Sequence, residues 1–151
     1  MFDMNDALFV GFKGKNNSSS MLVKMLSPEH LLLTNSFSGL KKDIDSICKE
    51  YDHVVMFGVD KSLTSTVRLE KVAFLDGETR TTGLDVEKLA ASLNDVGISA
   101  VISETPTAYL CNVAYWHMLK KFPERAVFIH IPTLKNVNDD FFDKMKQIFS
   151  D

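Results

Sequence analysis

Short apolar runs alternate with helix-length amphipathic segments along this chain. Five apolar runs are predicted to be strands, of which Ala7 to Phe12 and His53 to Gly58 are predicted to be buried; the others are His30 to Thr34, Ser99 to Ser103 and Arg125 to Ile131. A less buried strand is predicted where alternate residues point to opposite faces, from Val67 to Phe74. Because parallel strands need long crossover connections, which helices supply, the alternation predicts a three-layer α/β/α sandwich with a mainly parallel central sheet.

The segments between these strands carry apolar residues at helical spacing. A helix is predicted from Gly39 to Tyr51, and its apolar face includes Cys48, which is therefore expected to be a core residue. The other predicted helices are Ser18 to Leu26, the segment between Gly83 and Gly97, Asn112 to Lys121, and Asn138 to Phe149. Since repeats, low-complexity tracts and obvious linkers are lacking, residues 1–151 are expected to form a single α/β domain.

Charge and hydropathy exclude several classes of function. The net charge is −3 and the calculated pI is about 5.8, so no basic footprint for nucleic acid is present. No apolar run approaches the roughly 20 residues of a membrane-spanning helix, and the first residues do not resemble a signal peptide. Two cysteines do not make a disulfide framework. A cytoplasmic protein with reduced thiols, without nucleic-acid or membrane partners, is expected.

A cysteine follows one of the predicted strands, and a histidine lies near the end of another. Cys111 lies after the strand from Ser99 to Ser103, where a helix begins, and His130 lies near the end of the strand from Arg125 to Ile131. If those strands were adjacent and parallel, both side chains would lie at one sheet edge, where ligand sites gather. A helix N-terminus also favours a thiolate. A cysteine nucleophile with a histidine base is one interpretation; a small buried hydrophobe and a core histidine are the other.

The remaining histidines do not suggest a metal site. His30, His53 and His117 lack the close spacing of zinc ligands, and only two cysteines are available. Gly11 and Gly14 follow a strand, but the segment is neither a P-loop nor a dinucleotide fingerprint. We therefore expect neither a metal ion nor a cofactor.

Five segments together resemble the pyroglutamyl peptidase type I (pyrrolidone-carboxylate peptidase) family. Thr105 to Asn112 is similar to the family's cysteine segment, Thr-Ala-Gly-Thr-Phe-Val-Cys-Asn, and Phe128 to Pro132 is similar to its histidine segment. Glu70 to Leu75 resembles Glu-Arg-Val-Ala-Ile-Asn, and Glu78-Thr79-Arg80 follows at the family's distance. Thr82-Gly83-Leu84 resembles the opening of a family helix. Gly11-Phe12 and Asn17-Ser18 resemble the first strand and helix, so the similarity runs through nearly the whole chain in order.

The resemblance implies a cysteine peptidase that removes an N-terminal pyroglutamyl or related blocked residue. Cys111 would be the nucleophile, His130 the acid and base, and Glu70 the carboxylate that orients the imidazole. Arg80 and the backbone N–H of Cys111 would lie near the oxyanion. The pocket positions implied by the family are Phe12, Val59, Tyr109 and Leu110. The partners implied are a small peptide or amide substrate and further copies of the chain, since family members commonly form homo-oligomers.

The chain departs from the family in the segments that recognise the lactam ring. Lys13-Gly14-Lys15 replaces a loop with a second aromatic residue, and Val59 stands where the family has a glutamine. A valine side chain cannot hydrogen-bond a lactam, and losing such a partner can cost orders of magnitude in rate. Three interpretations follow: a peptidase with an altered substrate, a non-catalytic binding protein, and a homologue that serves assembly.

Overall fold

A six-stranded sheet and a separate hairpin form the β structure of the computed structural model, which describes residues 6–149. The strands are β1 (Ala7–Phe12), β2 (His30–Leu33), β3 (His53–Val59), β4 (Thr66–Glu70), β5 (Val72–Leu75), β6 (Glu78–Thr81), β7 (Ser99–Ser103) and β8 (Ala126–Ile131). The helices are α1 (Ser18–Leu26), α2 (Phe37–Asp45), α3 (Val86–Asp95), α4 (Tyr109–Lys121) and α5 (Asp139–Phe149). A single 3₁₀ turn, Leu134–Asn136, precedes α5.

The central sheet has the strand order β2-β1-β3-β8-β4-β7, and β5 pairs with β6 outside it. Neighbouring strands are parallel except β4 and β8, which are antiparallel, with Arg68 directly opposite His130. This one reversal turns both β4 and β7 against the direction of β8. The predicted mainly parallel sheet is confirmed, but its two outer strands on this side run the other way.

Helices cover both faces of the sheet. On one face Leu22 of α1, Leu89 of α3 and Met145 of α5 share a core with the odd-numbered residues of β8, such as Ile129. On the other face α2, α4 and the β5–β6 hairpin enclose a second core that contains Phe128. Because both faces are covered, β8 is buried at every residue. The α/β/α sandwich predicted from the sequence is confirmed.

Side chains of α4 bind the backbone of the β4–β6 segment at three levels. Tyr115 donates its hydroxyl hydrogen to the Glu70 carbonyl oxygen at 2.7 Å. Trp116 Nε1 donates to the Glu78 carbonyl oxygen at 3.0 Å. Asn112 accepts from the Phe74 N–H at 2.9 Å and donates to the Phe74 carbonyl oxygen at 2.6 Å. These bonds fix α4 against the hairpin, with the first turn of α4 at the end of β5.

Some predicted element bounds were wrong. The helix predicted from Gly39 to Tyr51 ends at Asp45, where Ser46 donates its side-chain hydroxyl to the Asp43 carbonyl oxygen and stops the helix. Cys48 therefore lies beyond α2 and is exposed, so its placement in the core was wrong. The strand β6 was not predicted, because its four residues carry no apolar alternation. In the part of the chain described here, no helix combines the length and the apolar character needed to cross a bilayer.

Candidate active site

A pocket of about 580 Å³ lies beyond the carboxyl ends of β3 and β8. Its lining residues come from the segments after those two strands and from the start of α4: Val59, Asp60, Lys61, Thr107, Ala108, Tyr109, Leu110, Cys111, His130 and Thr133. The end of β3 approaches this wall closely at Gly58, the register partner of His130. A Cβ atom on Gly58 would lie 2.6 Å from Phe128 Cζ and 3.0 Å from Cys111 Sγ. Only glycine leaves room there for the thiol.

The route that brings Cys111 to His130 differs from the one expected. β4 separates β7 from β8, and β7 runs antiparallel to β8, so the carboxyl ends of these strands do not meet at one edge. The connection after β7, residues 104–108, carries the chain to the pocket instead, and α4 starts there. Tyr109 enters the helix with φ of 60° in the left-handed region. Cys111 is the third residue of α4, two residues after this sharp turn.

His130 and Glu70 form a buried pair on the face of the sheet that α4 covers. Only 3% of His130 and 1% of Glu70 are exposed. His130 Nδ1 lies 2.8 Å from Glu70 Oε2, within hydrogen-bond distance. A carboxylate can only accept, so the pairing assigns the hydrogen to Nδ1 and leaves Nε2 as the basic nitrogen. Within residues 6–149 no hydrogen bond joins His130 to Cys111, although both line the pocket.

Arg68 and Asp60 extend this pair into a buried charge network. Arg68 Nε donates to Glu70 Oε2 at 2.6 Å, and Arg68 Nη2 donates to Asp60 Oδ2 at 2.9 Å. Burial works against the charge on Asp60, but hydrogen bonds from Ser62 and Arg68 outweigh it and lower the pKa of Asp60 to about 2. Asp60 is therefore ionised at neutral pH.

The Cys111 thiol is held in its neutral form. Burial raises the pKa of Cys111 to about 12, and the negative charges of Glu70 and Asp60 add to the effect, while Arg68 opposes it. The thiolate expected from the helix N-terminus is thus outweighed by desolvation at this position. The start of α4 nevertheless keeps open N–H groups, because no side chain caps the helix at Ala108.

Five of the eight site residues named from the sequence line the pocket: Val59, Tyr109, Leu110, Cys111 and His130. Glu70 lies behind His130. Arg80 does not reach the pocket, because its guanidinium lies 4.6 Å from the ring centroid of Trp116 and Nη2 donates to Glu78. Phe12 is buried against Phe128 rather than at the pocket wall. The structure therefore does not bring Arg80 and Phe12 to the wall of this pocket, and their roles beside a substrate stay predictions.

Sequence reasoning missed Arg68 and Asp60. Strand alternation already puts Arg68 and Glu70 on one face of β4, since they are two residues apart. The missing information was the neighbour of that strand, because only the antiparallel pairing with β8 sets Arg68 opposite His130. Among the residues that the structure describes, no three His, Cys, Asp or Glu side chains form a group that could hold a metal ion.

An α/β/α sandwich with a cysteine at a helix start, beside a buried histidine–carboxylate pair, has the architecture of an α/β cysteine hydrolase. A family model described as pyroglutamyl peptidase matches residues 66–147, which is more than half of the chain. The chain belongs to the pyroglutamyl peptidase family and is a cysteine peptidase of that type. No curated protein matches the chain in sequence.

Solved structures support the same fold. The pyrrolidone carboxyl peptidase of Thermus thermophilus is 19% identical, with a TM-score of 0.80 over 95% of this chain and 97% of that one. The enzyme of Thermococcus litoralis is 19% identical, with a TM-score of 0.77 over 94% of this chain and 90% of that one. The enzyme of Fervidobacterium islandicum is 20% identical, with a TM-score of 0.73 over 94% and 93%. At this identity the structures establish the fold.

Proposed function

We propose that the chain hydrolyses the amide bond after an N-terminal pyroglutamyl or related blocked residue, with Cys111, His130 and Glu70 as the catalytic residues. The observation that carries the proposal is the buried contact of 2.8 Å between His130 Nδ1 and Glu70 Oε2, beside a pocket that Cys111 also lines. A buried histidine can be satisfied without a carboxylate. A carboxylate on one ring nitrogen and a thiol in the same pocket are what nucleophilic catalysis requires.

The mechanism starts from a neutral thiol. His130 Nε2 accepts the Cys111 proton as sulfur attacks the substrate carbonyl carbon, so the thiolate forms only as the new C–S bond forms. The carbonyl π electrons move to oxygen, where the open N–H groups at the start of α4 can donate hydrogen bonds. The C–N bond then breaks, and the amine leaves with the proton from His130. Water hydrolyses the acyl-sulfur bond by the same proton route and restores the thiol.

Glu70 acts through the imidazole in this scheme. Its acceptor oxygen holds the hydrogen on Nδ1, which keeps Nε2 free to take the thiol proton. When Nε2 is protonated, the negative charge of Glu70 stabilises the imidazolium that forms. The same charge disfavours a free thiolate on Cys111. Glu70 therefore assists the proton transfer to His130 only when the sulfur gives up its negative charge to the new C–S bond.

The pocket supports a peptide substrate with altered recognition of its first residue. Val59 and Leu110 give the pocket an apolar wall without a side-chain amide at the position of Val59. Lys13, in the loop where the family has an aromatic residue, does not line the pocket, and its Nζ donates a hydrogen bond to Thr34 instead. We therefore propose that pyroglutamyl amides are poorer substrates than amides of other blocked N-terminal residues that need no polar contact with the pocket.

A panel of N-terminally blocked amides tests the proposal. The unaltered chain should release the amine and form a transient acyl group on Cys111, detectable by mass spectrometry of trapped protein. Cys111→Ser and His130→Ala should lose about 10³-fold or more in kcat/KM. Cys48→Ser is the matched control, because Cys48 is the other thiol and is exposed, and it should retain full activity. Absence of turnover and of acylation across the panel would favour the non-catalytic binding or assembly interpretation.

We also propose, from the family resemblance, that the chain acts in the cytoplasm as a homo-oligomer. Analytical ultracentrifugation of the full chain measures the oligomeric state. A monomer at micromolar concentration would contradict the homo-oligomer.

A further inference from the structure

Arg68 contacts every other member of the charge network behind the pocket. Its Nε contacts Glu70 Oε2 at 2.6 Å, its Nη2 contacts Asp60 Oδ2 at 2.9 Å, and Nη2 also lies 3.3 Å from His130 Nδ1. The backbone fixes this arrangement, because Arg68 is directly opposite His130 in the β4–β8 pair. The guanidinium therefore reaches the carboxylates on both sides without leaving its strand.

The Glu70 carboxylate depends on Arg68 for its position. Glu70 Oε2 accepts from Arg68 and from His130, whereas Glu70 Oε1 is buried and has no hydrogen-bond partner among the described residues. If Arg68 is removed, only the imidazole holds the carboxylate, and the carboxylate can rotate to satisfy Oε1 elsewhere. The hydrogen on His130 Nδ1 would then lose its defined acceptor.

Asp60 holds the other end of the guanidinium. Asp60 Oδ1 accepts from the backbone N–H and the hydroxyl of Ser62, at 2.9 and 2.7 Å, so the carboxylate is fixed before it meets Arg68. Asp60 and Arg68 are each about one quarter exposed, while Glu70 is fully buried. The network thus anchors a buried carboxylate to a more exposed one through a rigid planar group.

We propose that Arg68, held by Asp60, is a positioning residue that keeps Glu70 Oε2 on His130 Nδ1. The proposal rests on the proposed function, in which His130 Nε2 must be free to accept the thiol proton. The shorter Glu70 contact assigns the Nδ1 hydrogen to Glu70, so Arg68 Nη2 stands beside Nδ1 as a positive charge rather than as its donor.

The charged and titratable groups around His130 come from three elements. On β4 they are Arg68 and Glu70, in the segment after β3 they are Asp60 and Lys61, and on α4 the group is Cys111. On β8 itself the neighbour is the ring of Phe128, with centroids 4.8 Å apart, which carries no charge. Asp60, Arg68, Glu70 and His130 form one hydrogen-bonded chain, so removing Arg68 or its anchor Asp60 should loosen the contact between Glu70 and His130.

Four variants of the full chain test this role. Arg68→Gln removes the positive charge and the planar guanidinium. Arg68→Lys keeps the positive charge but loses the paired N–H donors of the guanidinium. Asp60→Asn removes the negative charge of the more exposed carboxylate. Arg125→Gln is the control, because Arg125 also bonds a carboxylate but on Glu50, away from the pocket. Each variant is checked for folding by circular dichroism and thermal unfolding. The measurements are kcat and KM, and the ¹⁵N NMR signals of the His130 ring in ligand-free protein, which report the nitrogen that carries the hydrogen; His130→Gln assigns the signals.

In Arg68→Gln the hydrogen should no longer be confined to His130 Nδ1, and kcat should fall by more than about tenfold, because Glu70 Oε2 loses its second donor. Asp60→Asn should show the same changes to a smaller extent, because Arg68 loses its charged anchor. Arg68→Lys should lose about tenfold in kcat, with KM changed less than about threefold, since the cation is kept but the carboxylate is less well placed. The control should change neither quantity.

Unchanged ring-nitrogen signals of His130 in both Arg68→Gln and Asp60→Asn would overturn the proposal, whatever the activities are. A fall in thermal stability with unchanged ring signals would assign Arg68 a structural role only. If the unaltered chain hydrolyses no amide, the proposed function fails, and the ring-nitrogen signals still decide whether Arg68 keeps Glu70 on His130 Nδ1. If Arg68→Gln does not fold, Arg68→Lys and Asp60→Asn carry the same decision.

Discussion

Alkylation of Cys111 should be slow at neutral pH although the residue is the proposed nucleophile. With a pKa of about 12, the thiolate fraction of Cys111 at pH 7 is about 10⁻⁵. An exposed thiol of ordinary pKa, about 8.5, is about 3% thiolate at the same pH. Because only the thiolate reacts, Cys111 should react about 10³-fold more slowly than an exposed cysteine, and burial slows it further.

The assay uses the fact that the chain has two cysteines, so each single variant leaves one thiol. Cys48→Ser reports on Cys111 alone, and Cys111→Ser reports on the exposed Cys48 alone. Iodoacetamide labelling is followed by intact-protein mass spectrometry from pH 6 to pH 10. The rate for Cys111 should rise about tenfold per pH unit throughout this range, because the range lies below its pKa.

The sign of the Glu70 contribution gives a second arm to the same assay. In Glu70→Gln the negative charge that raises the pKa of Cys111 is lost, so labelling of Cys111 should become faster while amide hydrolysis is lost. Equal rates for the two thiols at pH 7, or a plateau for Cys111 below pH 9, would refute the reasoning. Either result would mean that the helix N-terminus and the imidazole stabilise the thiolate more than burial penalises it.

Three further substitutions test particular contacts. Gly58→Ala should lower stability by about 1–3 kcal/mol, measured by urea unfolding, because its Cβ would lie 2.6 Å from Phe128 Cζ; unchanged stability would mean that the β3 backbone shifts freely. Arg80→Gln should leave kcat/KM within about threefold, because the guanidinium lies on Trp116 and does not face the pocket. A loss of 10²-fold or more would restore Arg80 to the oxyanion. Val59→Gln should raise turnover of pyroglutamyl amides about tenfold or more, since one hydrogen bond to the lactam is gained; no gain would place recognition elsewhere.

Local patterns predicted most of the secondary structure because the strands are buried and the helices amphipathic. β1, α1 and β7 have the predicted bounds, since each has clear apolar spacing and well-marked ends. α2 was predicted too long, because Ile47 continues the apolar spacing after Ser46 has already stopped the helix. Periodicity indicates which residues share a face, but not where hydrogen bonding ends.

Strand order was beyond the sequence, and the site depends on it. Assuming that β7 and β8 were adjacent and parallel brought Cys111 and His130 together by the wrong route. In the structure β4 lies between them in the opposite direction to β8, and this places Arg68 and Glu70 against the imidazole. The family resemblance identified Glu70, but Arg68 lies outside the segments that carry the resemblance, and alternation alone showed only that it shares a face with Glu70. Long-range pairing decides such contacts, and a single sequence does not contain it.

The bonds from α4 to the β4–β6 segment have a consequence for how the chain can change in evolution. Asn112, Tyr115 and Trp116 each contact main-chain atoms, at Phe74, Glu70 and Glu78. Every residue type supplies the same carbonyl oxygen, so the hairpin can exchange its own side chains without releasing the helix that carries the thiol. Mutational drift in β5 and β6 should therefore be tolerated, whereas changes at the three helix positions should not. In a library of variants, substitutions at Phe74 and Glu78 should therefore be tolerated far better than substitutions at Asn112 and Trp116, which bond to them.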